Sequence, residues 1–277
     1  LKKTVYALLL HVLLGTNLLA QMYNPYLFEN FGIQHGLDEK YVYSATEDQS
    51  GYLWIGTGSG LYRYDGVSFK YFKSNINKPG RTISNVLQTV FSDADGNLWL
   101  GSLNDLQWYD PRRNIFWRPD EQKQSVKKIA DAYVLNFFQD SKKNIWVCTN
   151  NDYFFRFNPK DSSFVHYGKM YPANTTKSTY KIIEANNGNY FSIHNEGIYE
   201  FNIEGKILHF YPYPGNQITN GDYDRDSNVI QLTSYQKGII RFDLNQNKYE
   251  SSELNNNALL ANHLFCITKD VQGNTWV

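Results

Sequence analysis

A surplus of charge is what this sequence most plainly lacks. Across 277 residues Lys and Arg number 27 and Asp and Glu number 27, so the formal net charge is zero. Proteins that bind nucleic acid draw on excess cations to displace counterions from phosphate, so the balance excludes nucleic acid as a partner. Cysteine is scarce: Cys148 and Cys266 are the only two. Both lie in apolar, strand-like runs, and both are expected as free, buried thiols rather than a disulfide. The apolar run Val5–Leu14 falls short of the ~20 residues that cross a bilayer. It follows Lys2 and Lys3 and leads to Ala20, which reads as a signal peptide over residues 1–20 with a cut after Ala20. Gln21 stands where a lipoprotein would carry its acylated cysteine. The six histidines are scattered, with no pair at metal spacing supported by further ligands, so neither a metal nor a cofactor is expected.

What is present is aromatic side chains, at 16% of the chain, with 22 Tyr and 17 Phe. Such residues suit pleated, half-buried surfaces and point to an all-β fold. They recur with a period. The stretch 48–57 (DQSGYLWIGT) returns as 93–102 (DADGNLWLGS), as 140–149 (DSKKNIWVCT) and, cut short, as 270–276 (DVQGNTW). Weaker copies surround Phe191 and Ile230. The column Trp54, Trp99, Trp146, Phe191, Ile230 and Trp276 has steps of 45, 47, 45, 39 and 46 residues. That period is one four-stranded blade of a β-propeller. Blades are expected over about 41–73, 85–118, 132–167, 179–211, 218–250 and, truncated, 260–277, within a propeller domain spanning 21–277.

Each part of the repeat has a physical role. The Asp accepts a backbone N–H two residues on, and Gly51, Gly96 and Gly273 supply the positive φ of the turn. Trp54, Trp99 and Trp146 are expected buried at equivalent places on the second strand, with Trp276 in the same column. Opening strands are expected at Val42, Val86 and Val134, and closing strands near Phe69, Phe116, Phe164, Ile207 and Tyr249. Residues 26–31 read as an outermost strand without a blade of their own. The acids Asp48, Asp93, Asp140, Asp224 and Asp270 recur in step with the repeat; recurrence in every blade marks structure, because one active site needs one set of residues.

The motifs of other propellers are absent. No copy has a sialidase Asp-box with correct spacing, a quinoprotein Thr-Gly pair or the Gly-His and Trp-Asp signatures of WD40 repeats. Two aromatics break the pattern on the more polar faces. Trp108 stands where other copies have Arg63, Arg156, Glu200 and Arg241, and Trp117 stands at the Lys70 position. They are candidates for stacking on a sugar ring; the other reading is packing between blades.

The words His35-Gly36-Leu37, 48–57 and Gly60–Asp65 together resemble the two-component regulator propeller family, over about residues 26–277. The third copy departs at Lys143 and Cys148, and the fourth and fifth lose the Trp. The resemblance implies about seven blades, of which this chain would be a fragment. It implies the exported, periplasmic sensor region of an inner-membrane hybrid histidine kinase that forms a homodimer. The ligand implied is a glycan or oligosaccharide, and the output is transcription through phosphorelay parts absent here. Membrane contact would come only through those parts, and the segment itself would catalyse nothing. A secreted carbohydrate-active enzyme and a protein-interaction scaffold are the alternatives.

Overall fold

Runs of alternating or fully apolar residues, punctuated by turns every few residues, make strands here and almost nothing else. The computed structural model describes residues 29–73, 86–103, 105–118, 129, 132–151, 153–172, 178–215, 217–251, 263–270 and 272–277. The signal-peptide reading, residues 1–20, lies outside them, as do the first three residues of the segment 26–31.

Five antiparallel four-stranded sheets follow one another along the chain. Blade 1 holds β1 (Val42–Glu47), β2 (Leu53–Thr57), β3 (Leu61–Tyr64) and β4 (Phe69–Phe72). Blade 2 holds β5 (Thr89–Ser92), β6 (Leu98–Ser102), β7 (Asp105–Asp110) and β8 (Ile115–Trp117). Blade 3 holds β9 (Val134–Gln139), β10 (Ile145–Thr149), β11 (Phe154–Asn158) and β12 (Ser163–His166). Blade 4 holds β13 (Lys181–Glu184), β14 (Tyr190–His194), β15 (Gly197–Phe201) and β16 (Ile207–Pro212). Blade 5 holds β17 (Ile218–Asp224), β18 (Val229–Ser234), β19 (Gly238–Asp243) and β20 (Lys248–Ser251). A two-stranded sheet, β21 (Thr268–Lys269) with β22 (Thr275–Trp276), begins a sixth. The opening strands touch in succession, β1 to β5 to β9 to β13 to β17 to β21, so the sheets radiate from a common axis with the first strand innermost. This is a β-propeller.

No single core holds it. The apolar clusters lie in the seams between blades. Trp54 packs with Leu100 and Tyr109 of blade 2. Trp99 packs with Val147 and Phe155 of blade 3. Trp146 packs with Ile182 and Phe201 of blade 4. Phe191 packs with Leu232 and Phe242 of blade 5. Backbone bonds cross the seams as well: Leu87 donates to the Thr57 carbonyl at 2.9 Å and Thr179 to that of Thr149 at 2.8 Å.

One side-chain arrangement recurs at the seams. Asp48 accepts the backbone N–H of Ser50 and Tyr52 on Oδ1, at 2.8 and 3.1 Å, and the Trp54 indole N–H on Oδ2 at 2.7 Å. The same carboxylate-to-indole bond joins Asp93 to Trp99 (2.9 Å), Asp140 to Trp146 (3.0 Å) and Asp270 to Trp276 (2.9 Å). With its one polar atom satisfied, the indole can be buried at little cost. Trp54, Trp99 and Trp146 are 0, 3 and 0% exposed. Each ring then meets an aromatic side chain on the third strand of the next blade: Tyr109 at 5.4 Å, Phe157 at 5.0 Å and Phe201 at 5.9 Å. Trp276 makes the bond but is 38% exposed. The turn itself needs a left-handed residue: φ is 80° at Gly51 and Gly96 and 88° at Gly273, while Lys143 takes that role in blade 3 at 64°. Two residues past Trp99, Gly101 permits close approach, because a Cβ there would lie 2.6 Å from Val134 Cγ1. Cys148 holds that place in blade 3.

Several expectations are corrected. Cys148 is buried and free, and burial pushes its thiol pKa up, but Cys266 is exposed, standing between buried Leu264 and Ile267. The opening strand of blade 2 starts at Thr89 rather than Val86, because the Leu87 N–H is committed to blade 1. Asp224 is not in the Asp column. It pairs with Val229 at the end of β17, whereas Glu47 pairs with Leu53, so the blade 5 hairpin is one residue shorter. Its carboxylate instead takes Lys269 Nζ at 2.8 Å, which lowers the Asp224 pKa. The described part of the segment 26–31, Glu29–Phe31, is not a strand. Phe31 lies 5.1 Å from the Tyr64 ring and 5.6 Å from Phe69, against the outer part of blade 1.

The carboxylate–indole bond has a measurable consequence. Asp140 also accepts the Tyr190 hydroxyl of blade 4 at 2.9 Å and the Asn144 amide at 2.8 Å. Asp140→Ala would strand these donors in a dry seam, and the expected loss is about 3 kcal/mol of unfolding free energy in urea titrations. A loss under about 1 kcal/mol contradicts the role given to this carboxylate.

Candidate functional site

Blade 4 departs from the repeat in two places at once. Its first hairpin turn keeps the backbone pattern, with Ala185 N–H on the Asn189 carbonyl at 2.8 Å and Gly188 N–H on that of Ala185 at 3.1 Å. Ala185 therefore stands where the clasping Asp stands elsewhere, and Phe191 replaces the Trp it would hold. Carboxylate and indole are lost together, which leaves no orphaned polar group. A cleft of about 470 Å³ occupies the seam between blades 4 and 5 at this point, with Ala185 and Phe191 in its wall.

The remaining wall is polar and aromatic. From blade 4 come Glu200 and Tyr211; from blade 5 come Tyr223, Arg225, Asn228 and Asn245. Glu200 pairs in register with Phe191, as Arg63 does with Trp54 and Arg156 with Trp146; in blade 5 the residue opposite Ile230 is Phe242, and Arg241 is shifted by one, opposite Gln231. The Glu200 carboxylate accepts Asn189 Nδ2 at 2.8 Å, Asn187 Nδ2 at 3.4 Å and the Tyr211 hydroxyl at 3.0 Å. Burial, then the neighbouring Glu200 charge, push the Tyr211 pKa up to about 12, so the phenol is protonated and donates at neutral pH. Its ring lies 4.9 Å from Phe242, bridging the blades. Across the seam the Tyr223 hydroxyl donates to Asn228 Oδ1 at 2.7 Å, and Asn228 Nδ2 to Asn245 Oδ1 at 2.7 Å. Asn186 and Arg225 bond each other twice, at 3.0 and 3.3 Å, across the blade boundary. The Arg225 guanidinium lies 5.7 Å from the Tyr223 ring centroid. The result is a preformed recess with acceptors mainly on one side, a guanidinium donor on the other, and flat rings in the wall.

The two aromatics singled out in the sequence lie elsewhere. Trp108 is half-buried in the seam between blades 2 and 3, 5.5 Å from Trp99 and 5.8 Å from Phe157, so packing accounts for it. Trp117 faces Trp108 in register on the outer strand and is 43% exposed, so it offers a ring to solvent. Neither lines the cleft. Glu200, Tyr211, Tyr223 and Arg225 escaped notice; the available signal was an acid in a column of arginines beside a copy that lost Asp and Trp together. Among the described residues no three His, Cys, Asp or Glu side chains form a metal site. No helix among them is long and apolar enough to cross a membrane.

With blades, seams and cleft in view, the class is that of a β-propeller. Residues 36–59 and 128–151 match the model of the two component regulator propeller. A 71-residue stretch is 35% identical to a histidine kinase of Formosa agariphila, covering 26% of this chain and 5% of that protein. The extracellular domain of a hybrid two-component system of B. thetaiotaomicron superposes with a TM-score of 0.67 at 22% identity, over 91% of this chain and 40% of that one. PorZ, a surface component of the type-IX secretion system of Porphyromonas gingivalis, gives 0.65 at 16% identity, over 84% of this chain and 36% of that one. Virginiamycin B lyase of Staphylococcus aureus gives 0.58 at 13%, over 76% and 69%. At these identities the solved structures establish the fold alone. The chain spans 40% or less of the length of the histidine kinase, the hybrid-system domain and PorZ.

The two tryptophans of blade 2 should part company on substitution. Trp108→Ala opens a cavity in a seam and should lower the unfolding free energy by about 3 kcal/mol; Trp117→Ala should change it by less than about 1 kcal/mol. Equal effects in thermal and urea unfolding contradict this placement.

Proposed function

We propose that this chain is the ligand-sensing propeller of an exported sensor region, belonging to a hybrid two-component histidine kinase and responding to an oligosaccharide. The observation that carries the proposal is the joint match to two-component regulator repeats and to a histidine kinase. Extracellular placement of the hybrid-system domain that shares the fold supports export. The seam architecture supports sensing over catalysis. A propeller offers rigid blades with openings between them, and a ligand bridging two blades alters their relative stability without any covalent step.

One observation favours a second reading, a glycan-cleaving enzyme: Glu200 and Asp226 both line the cleft. Glycoside hydrolysis uses two carboxylates across the bond, one of them a proton donor held in an apolar surrounding. Glu200 is instead ringed by three hydrogen-bond donors and Asp226 stands on an exposed turn, so the binding reading is preferred.

The test begins with the gene read past the codon for Val277, followed by purification of the encoded protein. The expected result is a membrane helix and a kinase core whose autophosphorylation rate changes when an oligosaccharide mixture from plant or algal glycans is added. An open reading frame without a kinase, or release of reducing sugar from those glycans by the purified protein, contradicts the proposal.

A further inference from the structure

We infer that the cleft between blades 4 and 5, at a seam where the clasp is absent, is a ligand site, and that it takes a neutral, hydroxyl-rich ring of the saccharide class. The inference rests on the sensor reading above and gives it a location and a set of residues.

The first ground is how the void arises. Losing the Trp alone would leave a carboxylate facing an empty seam, and losing the Asp alone would leave a buried indole N–H unpaired; either is costly. Blade 4 has lost both, at Ala185 and Phe191, so the space costs no orphaned polar atom. The other seams show what a filled site looks like. Trp54, Trp99 and Trp146 occupy it at 0, 3 and 0% exposure, and each reaches a ring of the next blade. In blade 4 Phe191 occupies that place at 3% exposure, and a cleft of about 470 Å³ lies beside it, within the ~300–1,000 Å³ range of small-molecule sites.

The second ground is the chemistry of the walls. A carboxylate offers about four acceptor positions. Asn187, Asn189 and Tyr211 use three of Glu200's, two on Oε1 and one on Oε2, so Oε2 retains capacity for an incoming hydroxyl. Arg225, on the facing blade, supplies guanidinium N–H groups, and the side-chain amides of Asn187 and Asn245 can both donate and accept at the exposed rim. A vicinal pair of hydroxyls, each both donor and acceptor, is the group that satisfies an acid and a guanidinium together. The rings of Phe191, Tyr211 and Tyr223 give apolar faces for the C–H side of such a ring. Charge selects against other ligand classes: Glu200 and Asp226 oppose an anion, and Arg225 opposes a cation.

The third ground is position. Glu200 and Tyr211 belong to blade 4, and Tyr223 and Arg225 to blade 5, joined at the boundary by the Asn186–Arg225 pair. A ligand in the cleft therefore ties two blades together at a seam that lacks the repeat's own tie.

The experiment compares the full chain with two variants on a glycan array carrying neutral and charged oligosaccharides, with affinities followed by calorimetry. The double variant Ala185→Asp with Phe191→Trp restores the clasp and should fill the cleft. The Glu200→Gln variant keeps the shape and removes the free carboxylate acceptor. The expected result is that the parent chain binds one or more neutral glycans, the double variant loses detectable binding, and Glu200→Gln binds about tenfold or more weakly. If the double variant fails to fold, Glu200→Gln decides. Unchanged affinity in the folded variants overturns the site, and a parent chain that binds only charged glycans, or none, overturns the ligand class. The sensor reading stands or falls separately, on the kinase.

Discussion

The indole N–H of Trp54, Trp99 and Trp146 has to find an acceptor before its ring can be buried, and the propeller depends on how that is arranged. Each blade is a small four-stranded sheet with two apolar faces and no means of covering them alone. The largest side chain available for the seam carries one polar atom, which would cost about 1–3 kcal/mol if left unpaired in a dry interface. An Asp six residues earlier removes that cost. It belongs to the same turn, where its other oxygen already holds two backbone N–H groups. One carboxylate thus closes the hairpin, orients the indole and allows it to reach an aromatic ring of the next blade. Local turn geometry and long-range packing are set by the same four or five atoms.

This economy makes the repeat conservative in its own chain, and departures from it carry information. Blade 3 gives up the turn glycine for Lys143 and accepts a left-handed non-glycine residue, while keeping Asp140, Trp146 and an additional bond from Tyr190 across the seam. Blade 5 shortens the hairpin and places buried Ile230 in the Trp column, and Asp224 turns its carboxylate to Lys269 of the following repeat, an ion pair between the ends of two opening strands. Blade 4 gives up the clasp and offers a polar recess. These are three different physical answers to one packing problem, and a cleft of small-molecule size lies at the last.

Much of the architecture was legible because it repeats. The column from Trp54 to Trp276 marked the second strand of each described sheet, and the closing strands begin within a residue of where the aromatics placed them, at Phe69, Ile115, Ser163, Ile207 and Lys248. What failed to show was whatever depends on two blades at once. Trp108 looked like a polar-face residue within its own strand, but the neighbouring blade supplies Phe157 to cover it. Cys266 sits in an apolar run and is nevertheless exposed, because the segment before β21 is not a regular strand and turns Leu264 and Ile267 inward instead. Asp224 matched the column by eye, yet a hairpin one residue shorter moved it to the end of the strand. The cleft was hidden for the same reason: its walls come from blades 4 and 5 together, and no single repeat contains both.

The central claim is that the carboxylate–indole bonds lock the seams between blades. It is tested most directly by hydrogen exchange of the six indole N–H groups, followed by NMR on the folded chain. The account predicts slow exchange for Trp54, Trp99 and Trp146, whose N–H groups are bonded within buried seams. It predicts fast exchange for Trp117 and Trp276, which are 43 and 38% exposed. Uniformly fast exchange at all six, with the chain otherwise folded, would contradict it.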